Sequence, residues 1–181
     1  MTPSRRRALG LAVGAAAALA GAGVAWRRWR VNDGAEAATA ALWSMQFDKP
    51  EGGKLVMADL RGKPLLINFW ATWCVPCVRE LPALQRFQRE QAARGWRVIA
   101  LAVDQPVPVI EFINRFKLEL TVALAGVDGL EWQRAMGNDK GGLPFSLVLD
   151  GAGRVRHRKL GETTIDDLTQ WAAEIAPAQA G

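Results

Sequence analysis

Apolar runs of strand length alternate with amphipathic stretches of helix length along this chain, and that alternation predicts most of its elements. Leu65-Leu66-Ile67-Asn68-Phe69-Trp70 is apolar except at Asn68. A strand covered on both faces reads this way, because neither face meets water. Leu55 to Leu60, ahead of the turn Arg61-Gly62-Lys63-Pro64, is expected to be a short strand or hairpin arm. A helix is predicted from near Cys74 to about Arg94, with Leu81, Leu84 and Phe87 on one face and Arg79, Arg86 and Arg89 largely elsewhere. Pro82 removes one backbone bond inside it and should bend it, and Gly95 ends it. Trp96 to Val103 is a second buried strand, and Val107 to Phe116 a second helix with Ile110, Ile113 and Phe116 at helical spacing. A short strand around Val122 to Leu124 and a helix from about Leu130 to Met136 follow. Phe145 to Leu149 and Val155 to Lys159 form a hairpin about Asp150-Gly151-Ala152-Gly153. Thr164 caps a last helix, Ile165 to Ile175, whose Asp166 and Asp167 sit at the positive end of the helix dipole. The order β-α-β-α, then β-β-α, describes an α/β sheet with parallel crossovers first and an antiparallel hairpin last.

Ahead of this domain, Ala8 to Trp26 carries no charge and lies between Arg5-Arg6-Arg7 and Arg27-Arg28-Trp29-Arg30. As a helix it would be ~28 Å long, close to a hydrocarbon core of ~30 Å. Three export readings fit: a signal anchor, a signal cleaved at Ala35-Glu36-Ala37 or Ala38-Thr39-Ala40, or a twin-arginine signal at Ser4-Arg5-Arg6-Arg7-Ala8-Leu9. Each puts the domain on the extracytoplasmic side of a bacterial cell envelope. Asn32 to Ala41 reads as a tether, so residues 1–41 are the export segment and 42–181 one domain. The net charge of +5 changes meaning with this division. Six of the 23 basic residues lie in the first thirty positions, leaving 17 against 18 acidic ones beyond them. The domain is neutral and has no basic stripe for nucleic acid.

The chain has two cysteines, in Cys74-Val75-Pro76-Cys77. A disulfide across two residues constrains the unfolded chain very little, so this spacing points to a bond made to be opened and closed, or to half a metal site. At a helix N-terminus the unpaired N–H groups and the dipole favour a thiolate, the reactive form. Cys74, expected to be exposed at the turn after a strand, should therefore attack a disulfide. Cys77, one turn on, should resolve the mixed disulfide. Pro76 stiffens the helix start where its missing N–H would have had no partner. Trp73 is expected to shield the pair and contact substrate, and Trp70 to be core. His157 is expected to be an exposed strand residue. Met45, Met57 and Met136 show no metal-ligand spacing, and no metal site is assigned.

Phe69 to Cys77 resembles the active-site segment of the thioredoxin superfamily. The likeness is greatest to its membrane-tethered or periplasmic thiol:disulfide reductases of cytochrome c biogenesis, the TlpA/ResA-like branch. Asp59-Leu60-Arg61-Gly62-Lys63-Pro64, Glu80-Leu81-Pro82, Gly142-Leu143-Pro144 and the exported N-terminus match that branch too. The resemblance implies a thioredoxin-like fold, a central mixed β-sheet flanked by helices. It implies a cis bond at Pro144 facing the cysteines, which leaves the Leu143 backbone free to pair with an extended client. It also matches Glu80 to a carboxylate near the cysteines that raises thiol pKa and could relay the resolving proton. Asn68 stands where cytoplasmic thioredoxins carry a buried Asp. The implied activity is protein-disulfide reduction with no cofactor beyond the redox disulfide. The implied partners are an exported disulfide-containing client, such as an apocytochrome c or an oxidase assembly factor, and a membrane thiol carrier as reductant. A Cu(I) metallochaperone using Cys74 and Cys77 is the alternative, though a third ligand would have to be His157 or a Met. A thiol peroxidase is disfavoured by Ala71 and Ile67 at the positions where such enzymes carry Thr and Pro. A non-catalytic binding module would keep its activity after Cys74→Ser.

Overall fold

The computed structural model describes residues 37–126 and 128–175, together with Gly21. Of the expected export segment 1–41, only Gly21 and residues 37–41 are among the described residues, and among those described no helix is long and apolar enough to cross a membrane.

Seven strands form one mixed sheet in the order β2-β1-β5-β4-β3-β6-β7. They are β1 (Gln46–Asp48), β2 (Lys54–Val56), β3 (Leu65–Trp70), β4 (Arg97–Ala102), β5 (Thr121–Leu124), β6 (Phe145–Leu149) and β7 (Val155–Leu160). The helices that follow β1 are α1 (Val75–Gln91), α2 (Pro106–Phe116), α3 (Gly129–Ala135) and α4 (Ile165–Glu174). Strand β3 runs parallel to β4 and antiparallel to β6, so it is paired on both edges as well as buried on both faces. Its period of two divides it between two cores. Leu66 and Trp70 face Leu81, Leu84 and Phe87 of α1 and Leu168 and Trp171 of α4. Leu65, Ile67 and Phe69 face Leu42, Met57, Met136 and Phe145. Asn68 shares the pleat of Leu66 and Trp70 and is fully buried beneath α1.

The left-handed Gly95 (φ 86°) ends the short 3₁₀ turn Ala92–Arg94 that follows α1. Thr164 and Asp167 form a reciprocal capping box at the start of α4.

Four expectations need correction. The tether predicted through Ala41 ends earlier: residues 37–42 are helical, with Thr39 and Leu42 buried. A segment of small residues gave no period from which to see this. The arm predicted over Leu55 to Leu60 is strand only at its start: β2 stops at Val56, and Met57–Leu60 is a 3₁₀ turn that buries Met57. In α2 the inward face is Val109 with Phe112 and Ile113, while Ile110 and Phe116 are exposed. Two interleaved apolar stripes in a short helix look alike from spacing alone. His157 is half-buried, since its side of the edge strand β7 is covered by α4: its ring stacks on Trp171 and its Nε2 lies 2.8 Å from Glu174 Oε2.

Leu84 is the fully buried centre of the α1 stripe. Leu84→Ala should cost about 2–5 kcal/mol, read as a lowered urea midpoint of the oxidised protein. A loss below about 1 kcal/mol would mean that α1 is not anchored by this face.

Candidate active site

The end of β3 sets the position of the cysteines. Beyond Trp70 the chain leaves the sheet and turns at once into α1, and the Cys74 N–H donates to the Ala71 carbonyl (3.2 Å) to close that turn. The turn is clamped from the neighbouring strand. Asp104, just past β4, accepts both the Thr72 N–H (2.9 Å) and the Thr72 hydroxyl (2.6 Å) on Oδ2.

Cys74 is the N-cap of α1 and Pro76 lies in its first turn. The sulfur takes the place of a capping oxygen: the Cys77 N–H donates to Cys74 Sγ at 3.3 Å. A free N–H at the positive end of a helix dipole favours a thiolate at that atom. Cys74 and Cys77 are joined as a disulfide, with Cα atoms 5.3 Å apart. The expectation of an exposed Cys74 is corrected: it is only 6% accessible, because its sulfur turns inward to reach the wholly buried Cys77. What protrudes is the pair of flanking residues, Trp73 and Val75, each 66% exposed.

The Leu143–Pro144 peptide bond is cis. Phe145 pairs with Phe69 in the β3–β6 ladder, which brings Pro144 beside the strand end that leads into Cys74. The Pro144 carbonyl accepts the Gly161 N–H (2.8 Å), and Gly142 is held through its carbonyl by Asn138 Nδ2 (2.8 Å). Leu143 is half-buried and packs against both cores.

Glu80, one turn after Cys77 on the same inward side of α1, is 1% exposed, so it is no solvated helix residue. Asn68 Nδ2 donates to its Oε1 at 2.6 Å, and the Thr163 N–H donates to its Oε2. Burial pushes its pKa up to about 7; the nearby charge of Glu162 adds to the rise, while bonds from Thr163 and Asn68 oppose it. Desolvation wins because the carboxylate is buried and no cation pairs with it among the described residues. Arg79, the adjacent basic residue, is spent on Glu162 instead (2.7 Å).

Thus Trp73, Cys74, Pro76, Cys77 and Glu80 lie on one turn-and-helix unit, and Leu143 and Pro144 stand just ahead of β6, the strand beside it. Sequence reasoning missed Asp104, Ser146 and Thr163. Asp104 had a signal, as a polar residue at the carboxyl end of a buried strand next to β3. Ser146 and Thr163 had none, since serine and threonine near strand ends are commonplace.

Residues 35–173 match the Redoxin family. The chain belongs to it. Thiol-disulfide oxidoreductase ResA of Bacillus thuringiensis (strain Al Hakam) is 33% identical over 129 residues, which is 70% of this chain and 72% of that one. ResA of Geobacillus thermodenitrificans (strain NG80-2) is 31% identical over 128 residues, 70% and 71% of the two chains. A thioredoxin-family thiol:disulfide interchange protein from Chlorobium tepidum TLS superposes with a TM-score of 0.63 at 29% identity, covering 72% of this chain and 91% of its own. This Redoxin-family chain is therefore a thiol–disulfide oxidoreductase of thioredoxin-like fold, as its motif segment led one to expect.

A carboxyl whose pKa rises from 4.5 unfolded to about 7 folded binds its proton more tightly in the native state. Its contribution to stability is therefore complete at low pH and lost as pH climbs through that interval. Glu80→Gln, which cannot ionise, should gain on the wild type by at most about 3 kcal/mol between acid and mildly alkaline pH. Urea unfolding of the two oxidised proteins across pH measures this, and a constant gap would remove the case for a raised pKa.

Proposed function

We propose that this oxidoreductase is a disulfide reductase for exported proteins, with Cys74 attacking and Cys77 resolving. The observation that carries the reading is the asymmetry of the pair: Cys74 caps the helix and receives an N–H on its sulfur, while Cys77 has no exposure at all. In the dithiol form the Cys74 thiolate attacks a client disulfide, forming a mixed disulfide and releasing one client thiolate. Cys77 then loses its proton to the Glu80 carboxylate and attacks Cys74 Sγ. The bond between Cys74 and the client breaks, and its electron pair leaves with the second client thiolate, which takes up a proton. Two electrons have passed to the client, and the Cys74–Cys77 disulfide seen in the structure is the product.

The client fits as an extended segment along the Leu143 backbone, with Trp73 and Val75 as the apolar rim. The arginine-flanked N-terminal segment supports work on the extracytoplasmic side, anchored or exported. There the oxidised pair needs a membrane thiol carrier to reduce it again, and a cytochrome c or oxidase precursor is the client class suggested by the branch it resembles.

Cys77→Ser should accumulate a mixed disulfide through Cys74, since nothing resolves it, and mass spectrometry of the trapped adduct names the client. Failure to trap any adduct while Cys74→Ser retains activity would instead favour a binding module. The Cys74–Cys77 potential should lie at or below about −200 mV, and a value near −120 mV would reverse the direction. Stoichiometric tight Cu(I) in the reduced protein, without insulin reduction, would favour the metallochaperone.

A further inference from the structure

Glu80 is enclosed by polar groups from three other parts of the fold. Asn68 comes from β3, Ser146 from β6 and Thr163 from the loop between β7 and α4, and each is at most 2% exposed. Their bonds close on themselves. Asn68 Nδ2 gives one hydrogen to Glu80 Oε1 (2.6 Å) and the other to Ser146 Oγ (3.1 Å). Ser146 Oγ and Thr163 Oγ1 are 2.9 Å apart, with either able to donate. Thr163 returns to Glu80 through its N–H. Asn68 Nδ2 and the Thr163 N–H both donate to Glu80, and the carboxyl only accepts. That is the bonding pattern of an ionised Glu80.

One atom of the ring is idle. Among the described residues, buried Asn68 Oδ1 has no hydrogen-bond partner, which carries the desolvation penalty of an unmade bond. A protonated Glu80 has the opposite need: its new O–H requires an acceptor where the structure now presents the Nδ2 donor. Turning the Asn68 amide over by half a rotation of its terminal torsion meets that need. Oδ1 then takes the Glu80 O–H on one lone pair and the Ser146 O–H on the other. Thr163 donates to Ser146, and the ring runs backwards with the same members, at the cost of moving Nδ2 into the buried place where Oδ1 had no partner. A hydroxyl pair that can donate in either sense and a side-chain amide with both functions are what such a reversal requires. Aspartate, an acceptor only when charged, would put a second anion against Glu80; leucine would offer neither function.

We infer that Asn68, Ser146 and Thr163 form a reversible hydrogen-bond ring that holds Glu80 in both of its charge states. Asn68 is the positioning residue, its amide turning over when the carboxyl gains a proton. This rests on the reading of Glu80 as acceptor of the Cys77 proton, and it explains how a carboxyl cut off from water can hold that proton without losing its partners. The charged groups around the ring are few. Glu162 precedes Thr163 and is held by Arg79 of α1, and Lys159, opposite Ser146 on β7, is held by Asp167 of α4.

The test is a pH titration of the full-length oxidised protein by NMR, following the Glu80 carboxyl carbon and the Asn68 side-chain amide, the latter assigned by its loss in Asn68→Leu. The Asn68 amide protons should move with the same midpoint as the Glu80 carbon, and the proton bonded to the carboxylate should lose its hydrogen-bonded shift on the acid side. Amide protons that stay in place through the Glu80 midpoint would overturn the ring. Asn68→Leu removes a donor to the anion and should shift the pH profile of the single-turnover resolving step upward by about tenfold in proton concentration or more. An unmoved profile would count against it. Glu80→Gln separates the two layers: if its resolving step keeps the wild-type profile, the proton role of Glu80 fails. If that profile changes while the Asn68 amide is silent, the ring alone fails.

Discussion

Strand β3 has no free surface. It is paired with β4 on one edge and β6 on the other, and both of its faces are buried. A strand so enclosed can meet solvent only at its ends, and the chemistry sits just beyond its carboxyl end, where open α/β sheets place their ligand crevices. The three features around the disulfide are consequences of that position. The first residues past Trp70 become the turn into α1, the end of β4 supplies Asp104 to clamp it, and the start of β6 brings Pro144 alongside. The same enclosure places Asn68 under α1, one pleat from Trp70, within reach of the helix turn after the cysteines.

Two electrostatic effects act in opposite directions along α1. At its N-terminus the unpaired N–H groups favour negative charge on Cys74, and the bond from the Cys77 N–H gives that preference a definite address. One turn beyond Cys77, burial disfavours negative charge on Glu80. Because the raised value lies near neutrality, the carboxyl is neither a permanent anion nor a permanent acid. In the proposed mechanism a fixed anion there would repel a Cys77 thiolate and hold back resolution, and a fixed acid could not accept the Cys77 proton. Burial of this carboxyl costs stability as pH rises from about 4.5 to about 7.

Most of the architecture was legible because the elements near the site carry strong, simple signals. The continuous apolar run of β3, the α1 stripe of Leu81, Leu84 and Phe87, Gly95 after the helix and the Thr164 cap each tie a residue type to one local geometry. The cysteines and Glu80 were legible through their spacing on that helix and through the resemblance of the segment around them. What was hidden depends on tertiary neighbours. The inward face of α2 is chosen by Trp70, against which Phe112 packs at 5.1 Å, and His157 is covered only because α4 folds back over β7. The low exposure of Cys74 belongs to the oxidised bond, which no pattern of residue types encodes.

The polar residues inside the first core make the same point from the side of function. A buried asparagine in the middle of an otherwise apolar strand weakens that strand by every measure of propensity and transfer. Asn68 is nevertheless fully buried, and two of its three bonding groups are satisfied by residues distant in sequence. Leucine would pack the sheet as well, so packing does not account for an amide at this position. Its partners do: one is the buried carboxyl of Glu80, and another is a hydroxyl joined to the loop that holds the far side of that carboxyl. Where local preference and the observed residue disagree inside a core, the reason lies in the chemistry of the neighbours, and here those neighbours lead back to the turn of helix that bears Cys77.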